Sequence, residues 1–304
     1  MLKAVNPATG ETVRKVDTDT STGVENKLIA SQKAFRDWRA KSYSERADLL
    51  KAVAKYMRDN VDTLGPVMTE EMGKPKKESV GEVNKSAWCA EHYADHAEGY
   101  LEREVIESDA SLSYVQHLPL GPILGILPWN APFWLAFRFA APSLMAGNTC
   151  LMKHDPHVPG CAEAIESCFR EVGAPDGLFQ ALYLKTPDVE DVIRDSRVRG
   201  VSFTGSSRGG SKVAAAAGAA IKPAVLELGG SDPSIVLADA DLEKAADTLT
   251  LSRIINAGQS CIAAKRIIVE GSVYDEMTEL MKDRMSKLKV GDPTSEDTDV
   301  GPIA

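Results

Sequence analysis

Cysteine is scarce in this chain, and its distribution excludes most structural uses. There are five in 304 residues: Cys89, Cys150, Cys161, Cys168 and Cys261. They are odd in number, scattered, and form no Cys-x-x-Cys pair, so a disulfide framework is not expected and a reducing cytoplasm is. Each thiol is then either a small buried hydrophobe or a reactive thiolate. No apolar run is long enough to span a bilayer. The opening MLKAVNPATGETVRKV lacks a basic segment followed by an apolar one, so no secretory signal is expected. Positive charge is in deficit: 35 Lys and Arg against 44 Asp and Glu give a net charge of −9. That argues against nucleic acid and anionic membrane as partners, while leaving room for a local basic pocket. Internal repeats, low-complexity tracts and the Gly-x-Gly-x-x-Gly dinucleotide fingerprint are also missing.

What remains is ordinary soluble composition, 43% hydrophobic and 26% charged, with length for two domains. The first third reads as helical. Val24, Leu28, Phe35 and Trp38 share one helix face, and Leu49, Val53, Tyr56 and Leu64 repeat the pattern in a second segment that Gly73 and Pro75 stop. Val83, Ala87, Ala90, Ala94 and Ala97 form a stripe of small residues on a third. Between Leu101 and Leu118, EREVIE and LSYVQHL read as a hairpin arm, either an oligomer contact or a plain surface hairpin. From Gly121 onward, apolar runs (GPILGIL, NTCLMK, LFQALYL, GVSFTG, AVLEL, SIVLA, RIIVE) alternate with helical patterns at 133–146, 157–172, 188–196, 206–220, 241–257 and 272–289. Continuous apolar runs predict strands buried on both faces. Their alternation with helices predicts an α/β fold with a Rossmann-like, doubly wound parallel sheet, followed by part of a second α/β domain. Ligands in such sheets sit at the carboxyl ends of the strands, where Asn130, Lys153, Gly205 and Glu227 fall.

Four motifs carry the chemistry, three of them at those strand ends and one at the end of a helix. Gly205-Ser206-Ser207-Arg208-Gly209-Gly210 follows a strand and opens a helix, which exposes backbone N–H groups at the positive end of the helix dipole. The plain alternative is a tight strand-to-helix turn. Cys261 ends Asn256-Ala257-Gly258-Gln259-Ser260-Cys261, where a glycine break can present a thiol to a cleft. Glu227 lies within the apolar run LELGG, where burial would raise its pKa toward that of a general base; the alternative is a carboxylate paired at a domain seam. Asn130, in Pro128-Trp129-Asn130, offers an amide donor for an oxyanion, or is simply an Asn in a turn.

Taken together, Asn130, Lys153, Gly205, Glu227 and Cys261, with ILPWNAP, LELGG and NAGQSC, resemble the aldehyde dehydrogenase superfamily along the whole chain. KHDPHVPGCAE, LELGGSDP and CIAAKR are most similar to bacterial succinate-semialdehyde dehydrogenases. The resemblance implies Cys261 as nucleophile, Glu227 as general base and Asn130 as oxyanion donor. It implies NAD or NADP as cofactor, held by Leu127, Pro128, Trp129, Lys153, Gly205, Ser206, Gly209, Leu228 and Gly229. It also implies a substrate tunnel with Arg138, Trp134, Ile255, Ser260 and Ile262, with Arg138 pairing the distal carboxylate of a small-molecule aldehyde. Ile255 stands where some relatives carry a second arginine. Ile262 replaces a cysteine that gives others a redox disulfide. Pro156 replaces the glutamate by which NAD-selective relatives bind the adenosine ribose, so a 2′-phosphate is not repelled there, although Asp155 could compensate for NAD.

Residues 1–100 and 120–229 would form the cofactor-binding domain, 101–119 the oligomerisation arm, and 230–304 the start of the catalytic domain. The family's chains continue further, with a Glu-x-Phe segment and an oligomer strand, so a C-terminally truncated chain is expected, dimeric or tetrameric when full length. The alternative function is a non-catalytic fragment that keeps nucleotide binding or a structural role. No metal site is expected. Cys89, His92 and His96 could share a helix face, but three residues without a further ligand and supporting shell read as a surface helix with a buried cysteine.

Overall fold

The computed structural model describes residues 1–304. Seven parallel strands occupy the seven apolar runs. Five form one sheet: β5 (Pro122–Ile126), β6 (Thr149–Lys153), β7 (Phe179–Ala181), β8 (Gly200–Thr204) and β9 (Ala224–Glu227), in the order β7-β6-β5-β8-β9. The chain runs outward from β5 to β7, then returns to place β8 on the other side of β5. The crevice where the order reverses therefore lies between the ends of β5 and β8, the usual ligand position in a doubly wound sheet. Asn130 follows β5 by four residues, and Gly205 follows β8 directly.

Alternation along the strands builds a core on each face. Ile123, Cys150 and Met152 join the larger cluster, while Leu124, Ile126 and Leu151 join the smaller. The larger cluster is covered by α2 (Tyr43–Asp59), α3 (Val61–Met72), α4 (Lys76–Tyr100), α5 (Pro132–Met145) and α6 (Pro159–Glu171). The smaller is covered by α1 (Ser21–Trp38), α7 (Val189–Arg194) and α8 (Ser207–Ala219). The remaining strands, β10 (Pro233–Val236) and β11 (Arg266–Val269), form a separate parallel pair. They pack with α9 (Leu242–Ile254) and α10 (Tyr274–Ser286) around Val236, Ala246 and Met277.

Three expectations need correcting. The second helical segment is two helices. Asn60 leaves helical geometry at φ −118° and ψ 20°, and its side chain donates to the Tyr56 carbonyl at 2.8 Å, which ends α2 although the apolar period continues into α3. The strand β9, one of the sheet's two edges, is exposed throughout rather than buried: α8 alone packs on it, whereas the other edge, β7, is covered by α1 and α6. The pattern at 241–257 stops helical geometry at Ile254: Asn256 and Ala257 have φ of 52° and 53°, a left-handed conformation uncommon for residues with a Cβ. An antiparallel pair, β1 (Leu2–Val5) with β2 (Thr12–Val16), was not anticipated. The arm is a short hairpin, β3 (Glu104–Val105) with β4 (Tyr114–Val115). No helix is long and apolar enough to cross a membrane.

Candidate active site

Of the five cysteines, only Cys261 is exposed. Burial pushes Cys89 up to about 11 and Cys168 up to about 12, and raises Cys150 and Cys161 as well, so those four are held as thiols. Cys261 lies on a turn after the left-handed Asn256 and Ala257 and after Gly258, whose φ is +76°. A Cβ at Gly258 would come within 2.4 Å of the Arg253 guanidinium, which donates to the Gly258 carbonyl at 2.9 Å and to that of Ala264 at 2.6 Å. This clamp draws the two ends of the Cys261 turn together. Lys265 ties the turn to the segment after β9, donating to the carbonyls of Cys261 at 2.6 Å and Gly230 at 2.9 Å.

Three amides form a closed ring beside the thiol. Asn130 Nδ2 donates to the Gln259 carbonyl at 2.8 Å, Gln259 Nε2 to the Asn256 carbonyl at 3.2 Å, and Asn256 Nδ2 to the Asn130 carbonyl at 2.9 Å. One Nδ2 hydrogen of Asn130 is thereby used for orientation and the other remains for a ligand. The Cys261 backbone N–H has no acceptor within the chain.

Beneath the ring lies a polar network from Lys74 and α4 that sequence reasoning missed. Lys74 is paired with Glu82, both nearly inaccessible, and also donates to the Asn130 carbonyl at 3.0 Å. The other Glu82 oxygen accepts from the Phe133 and Trp134 N–H groups at 2.9 and 3.1 Å, satisfying the start of α5. Glu78 accepts from the Asn256 N–H at 2.8 Å, and burial raises its pKa. The available signal was Glu78, Glu82 and Lys85 at helical spacing on α4, next to the small-residue stripe. Asn256 and Gln259 were visible in the Cys261 motif but had been assigned no role.

These groups line a cleft of about 260 Å³. Asn130, Trp134, Arg138, Ile255, Ser260, Cys261 and Ile262 all border it, so the predicted substrate and nucleophile residues come together. Glu227 does not border it and is not buried: its side chain is 52% exposed, so the expected desolvation in an apolar strand is absent. Its carboxylate lies 3.9 Å from the Arg138 guanidinium.

A second cleft, of about 380 Å³, opens at the ends of β6 and β8. Lys153 and Gly209 border it, with apolar walls from Val189, Ile193, Val213 and Ala216. The Ser206 side chain caps α8, accepting from the Gly209 N–H at 3.2 Å. A Cβ at Gly205 or Gly209 would come within 2.7 or 2.8 Å of the Phe203 ring, so glycine lets the turn and the helix start close on that strand. Lys153 is buried, with its pKa lowered by desolvation. Next to it, burial pushes His154 down to about 4. Its neutral ring donates from Nε2 to the Pro132 carbonyl at 3.1 Å and accepts at Nδ1 from the Asp155 N–H at 3.1 Å, linking the end of β6 to the start of α5. One Asp155 oxygen is engaged by His157 Nδ1 at 2.6 Å. Leu127 is buried in the core, which leaves only its backbone available to a ligand, and Trp129 is partly buried. Leu228 packs on Gly210, and Gly229 is exposed. The cleft suits a dinucleotide: apolar walls for a base, a buried cation for ribose or phosphate, and a helix start for phosphate.

On α4, the His92 ring lies 4.8 Å from that of His96 and accepts or donates at 3.0 Å with the Tyr100 hydroxyl, while Cys89 is buried beneath.

The aldehyde dehydrogenase family matches residues 1–304. A probable NADP-dependent succinate-semialdehyde dehydrogenase of Synechocystis is 44% identical over 303 residues, covering all of this chain and 67% of the relative. Succinate-semialdehyde dehydrogenase 1 of Mycobacterium tuberculosis, named as NADP-dependent, is 44% identical over 306 residues with the same coverage. The crystal structure of succinic semialdehyde dehydrogenase from Streptococcus pyogenes with NADP+ superimposes with a TM-score of 0.96 at 36% identity, over 100% of this chain and 67% of that one. The chain thus spans about two thirds of the length of these relatives, and it belongs to the aldehyde dehydrogenase family.

Proposed function

We propose that this chain carries the apparatus for NADP-linked oxidation of an aldehyde with a distal carboxylate to the acid, succinate semialdehyde to succinate. The observation that carries the reading is the single exposed thiol, Cys261, with a free backbone N–H, set in one cleft with the oriented Asn130 amide and the Arg138 guanidinium. The names of the relatives support the substrate class and NADP.

The Cys261 thiolate adds to the aldehyde carbon, a step for which sulfur is an effective nucleophile. Asn130 Nδ2 and the Cys261 N–H hold the oxyanion, preorganised by the amide ring. A nicotinamide dinucleotide, when bound in the second cleft, would supply the hydride acceptor that oxidation of the adduct to a Cys261 thioester requires. Glu227 takes a proton from the water that attacks the thioester, releasing the acid and restoring the thiolate. Arg138 pairs the distal carboxylate, a charge-assisted fork in place of its long contact with Glu227. Lys153, Gly205, Ser206 and Gly209 would hold that cofactor. Residues 1–100 and 120–229 serve as cofactor domain, 101–119 as an arm between copies, and 230–304 begin the catalytic domain.

Reduced-cofactor absorbance with a panel of aldehydes tests the reading; dinucleotide binding without turnover of any aldehyde would leave a nucleotide-binding role alone. In stopped-flow mixing, Glu227→Gln is expected to give a burst of reduced cofactor followed by slow turnover, because deacylation is the step impaired. If no burst forms and acylation itself collapses, Glu227 acts on the thiol instead. Pro156→Glu is expected to shift the kcat/KM ratio toward NAD by about tenfold or more, since a carboxylate would repel the 2′-phosphate. A wild type that already ignores NADP would overturn that role and point to Asp155.

A further inference from the structure

The charges around the Cys261 cleft are not all matched. Lys74 and Glu82 neutralise each other, and Glu78 is engaged by the Asn256 N–H. Lys85 stands apart. It borders the same cleft, one turn beyond Glu82 on α4, and its ammonium lies 4.0 Å from the centre of the Trp134 ring, with no carboxylate in ion-pairing range. A cation resting on an indole is held in place without being neutralised, so its charge remains available to an anion. Arg138, one turn after Trp134 on α5, approaches the same ring at 6.0 Å and has Glu227 only at 3.9 Å, beyond a hydrogen bond. Two incompletely paired cations from different helices therefore meet at one indole on the wall of the cleft that holds the nucleophile. Across the cleft, Ile255 and Ile262 contribute no charge.

We propose that Lys85 is a specificity-determining residue: with Arg138 it forms a two-cation receptor, built around Trp134, for the distal carboxylate of the aldehyde. The inference rests on the carboxylate-bearing substrate proposed above and adds a residue from another helix. Arg138 provides a planar fork, and Lys85 provides a mobile point charge that can follow the carboxylate as the chain length changes. An uncharged aldehyde would leave both cations facing an apolar chain, so the pair disfavours it as well as favouring the acid.

The test compares this chain with its Lys85→Met, Lys85→Arg and Arg138→Leu variants. Each is given succinate semialdehyde and an unsubstituted aldehyde of the same length. Lys85→Met is expected to lower the charged-to-uncharged kcat/KM ratio about tenfold, chiefly through KM, and Lys85→Arg to restore most of it. Arg138→Leu should lower the same ratio by roughly ten- to a hundredfold. A second readout needs neither cofactor nor turnover: succinate binding by calorimetry should weaken about tenfold in Lys85→Met and depend less on salt. Unchanged ratio and unchanged succinate affinity in Lys85→Met, with both lost in Arg138→Leu, would overturn the role of Lys85 and leave the substrate reading standing. Equal losses for both aldehydes would also overturn it, making Lys85 a packing residue on Trp134. A wild-type chain with no preference for the charged aldehyde would instead remove the substrate reading itself.

Discussion

Cys261→Ala abolishes aldehyde oxidation while dinucleotide binding persists: that is the expected result, a fall of at least about a thousandfold, or about 4 kcal/mol of barrier. The size follows from the absence of a substitute. The other four thiols are buried and held protonated by desolvation, so none can take over. The cleft at Lys153 and Gly209, proposed above for the cofactor, is built from other elements and shares no residue with the cleft at Cys261. Reduced-cofactor absorbance reads the first effect, and cofactor titration by fluorescence reads the second. An alkylating reagent supplies a control, labelling one thiol in the native chain and none in the variant. Turnover surviving in Cys261→Ala would end the mechanism, whatever the labelling shows.

Glu82→Leu is expected to be the most destabilising single change at the site, costing about 3–5 kcal/mol in urea unfolding. Its carboxylate does three things at once. It neutralises Lys74, which has no other carboxylate partner, and it accepts from the first N–H groups of α5 at Phe133 and Trp134. Leucine leaves an ammonium buried and two amides without acceptors. The double variant Lys74→Met/Glu82→Leu removes the orphaned charge and should recover a large part of the loss, as replacement of a buried pair by apolar groups often does. If the double variant is no more stable than Glu82→Leu, the cost lies in the α5 amides rather than in the ammonium.

The sequence was most informative where burial is symmetrical. The strands β5 and β6 are buried at every position, so their apolar runs stood out without any period, and all seven runs became strands. Asn130 and Cys261 were legible because each ends a strand or helix with turn chemistry around it. The miss at Glu227 has the opposite cause. An apolar run carries no mark of how many helices cover the strand; β9 and β7 are both edges, but β7 is covered and β9 is not, so the β9 glutamate is open to solvent. The α4 residues escaped because they lie some fifty residues before Asn130, and only the packing of α4 on α5 carries Glu82 to that helix's first amides. The break at Asn60 was hidden by a leucine period that continues on both sides of it. The hairpin of β1 and β2 is too short to show a period, with only Leu2 and Ala4 of its residues fully buried.

The ring of three amides makes the turn that bears Cys261 and the proposed oxyanion donor, Asn130, a single mechanical part. Asn130 is held by Gln259 and Asn256, two residues of the turn that bears Cys261, and the left-handed backbone of that turn is held in return by Asn130 and Glu78. Loss of either asparagine relaxes the other, so the energies of these two positions do not add. Gln259 enters the ring through its carbonyl, and its backbone N–H also donates to the Asn256 carbonyl at 3.0 Å, so its side chain is the dispensable link. Variants at Asn130 and Asn256 should therefore each cost nearly as much as the two combined, while Gln259→Ala should cost far less.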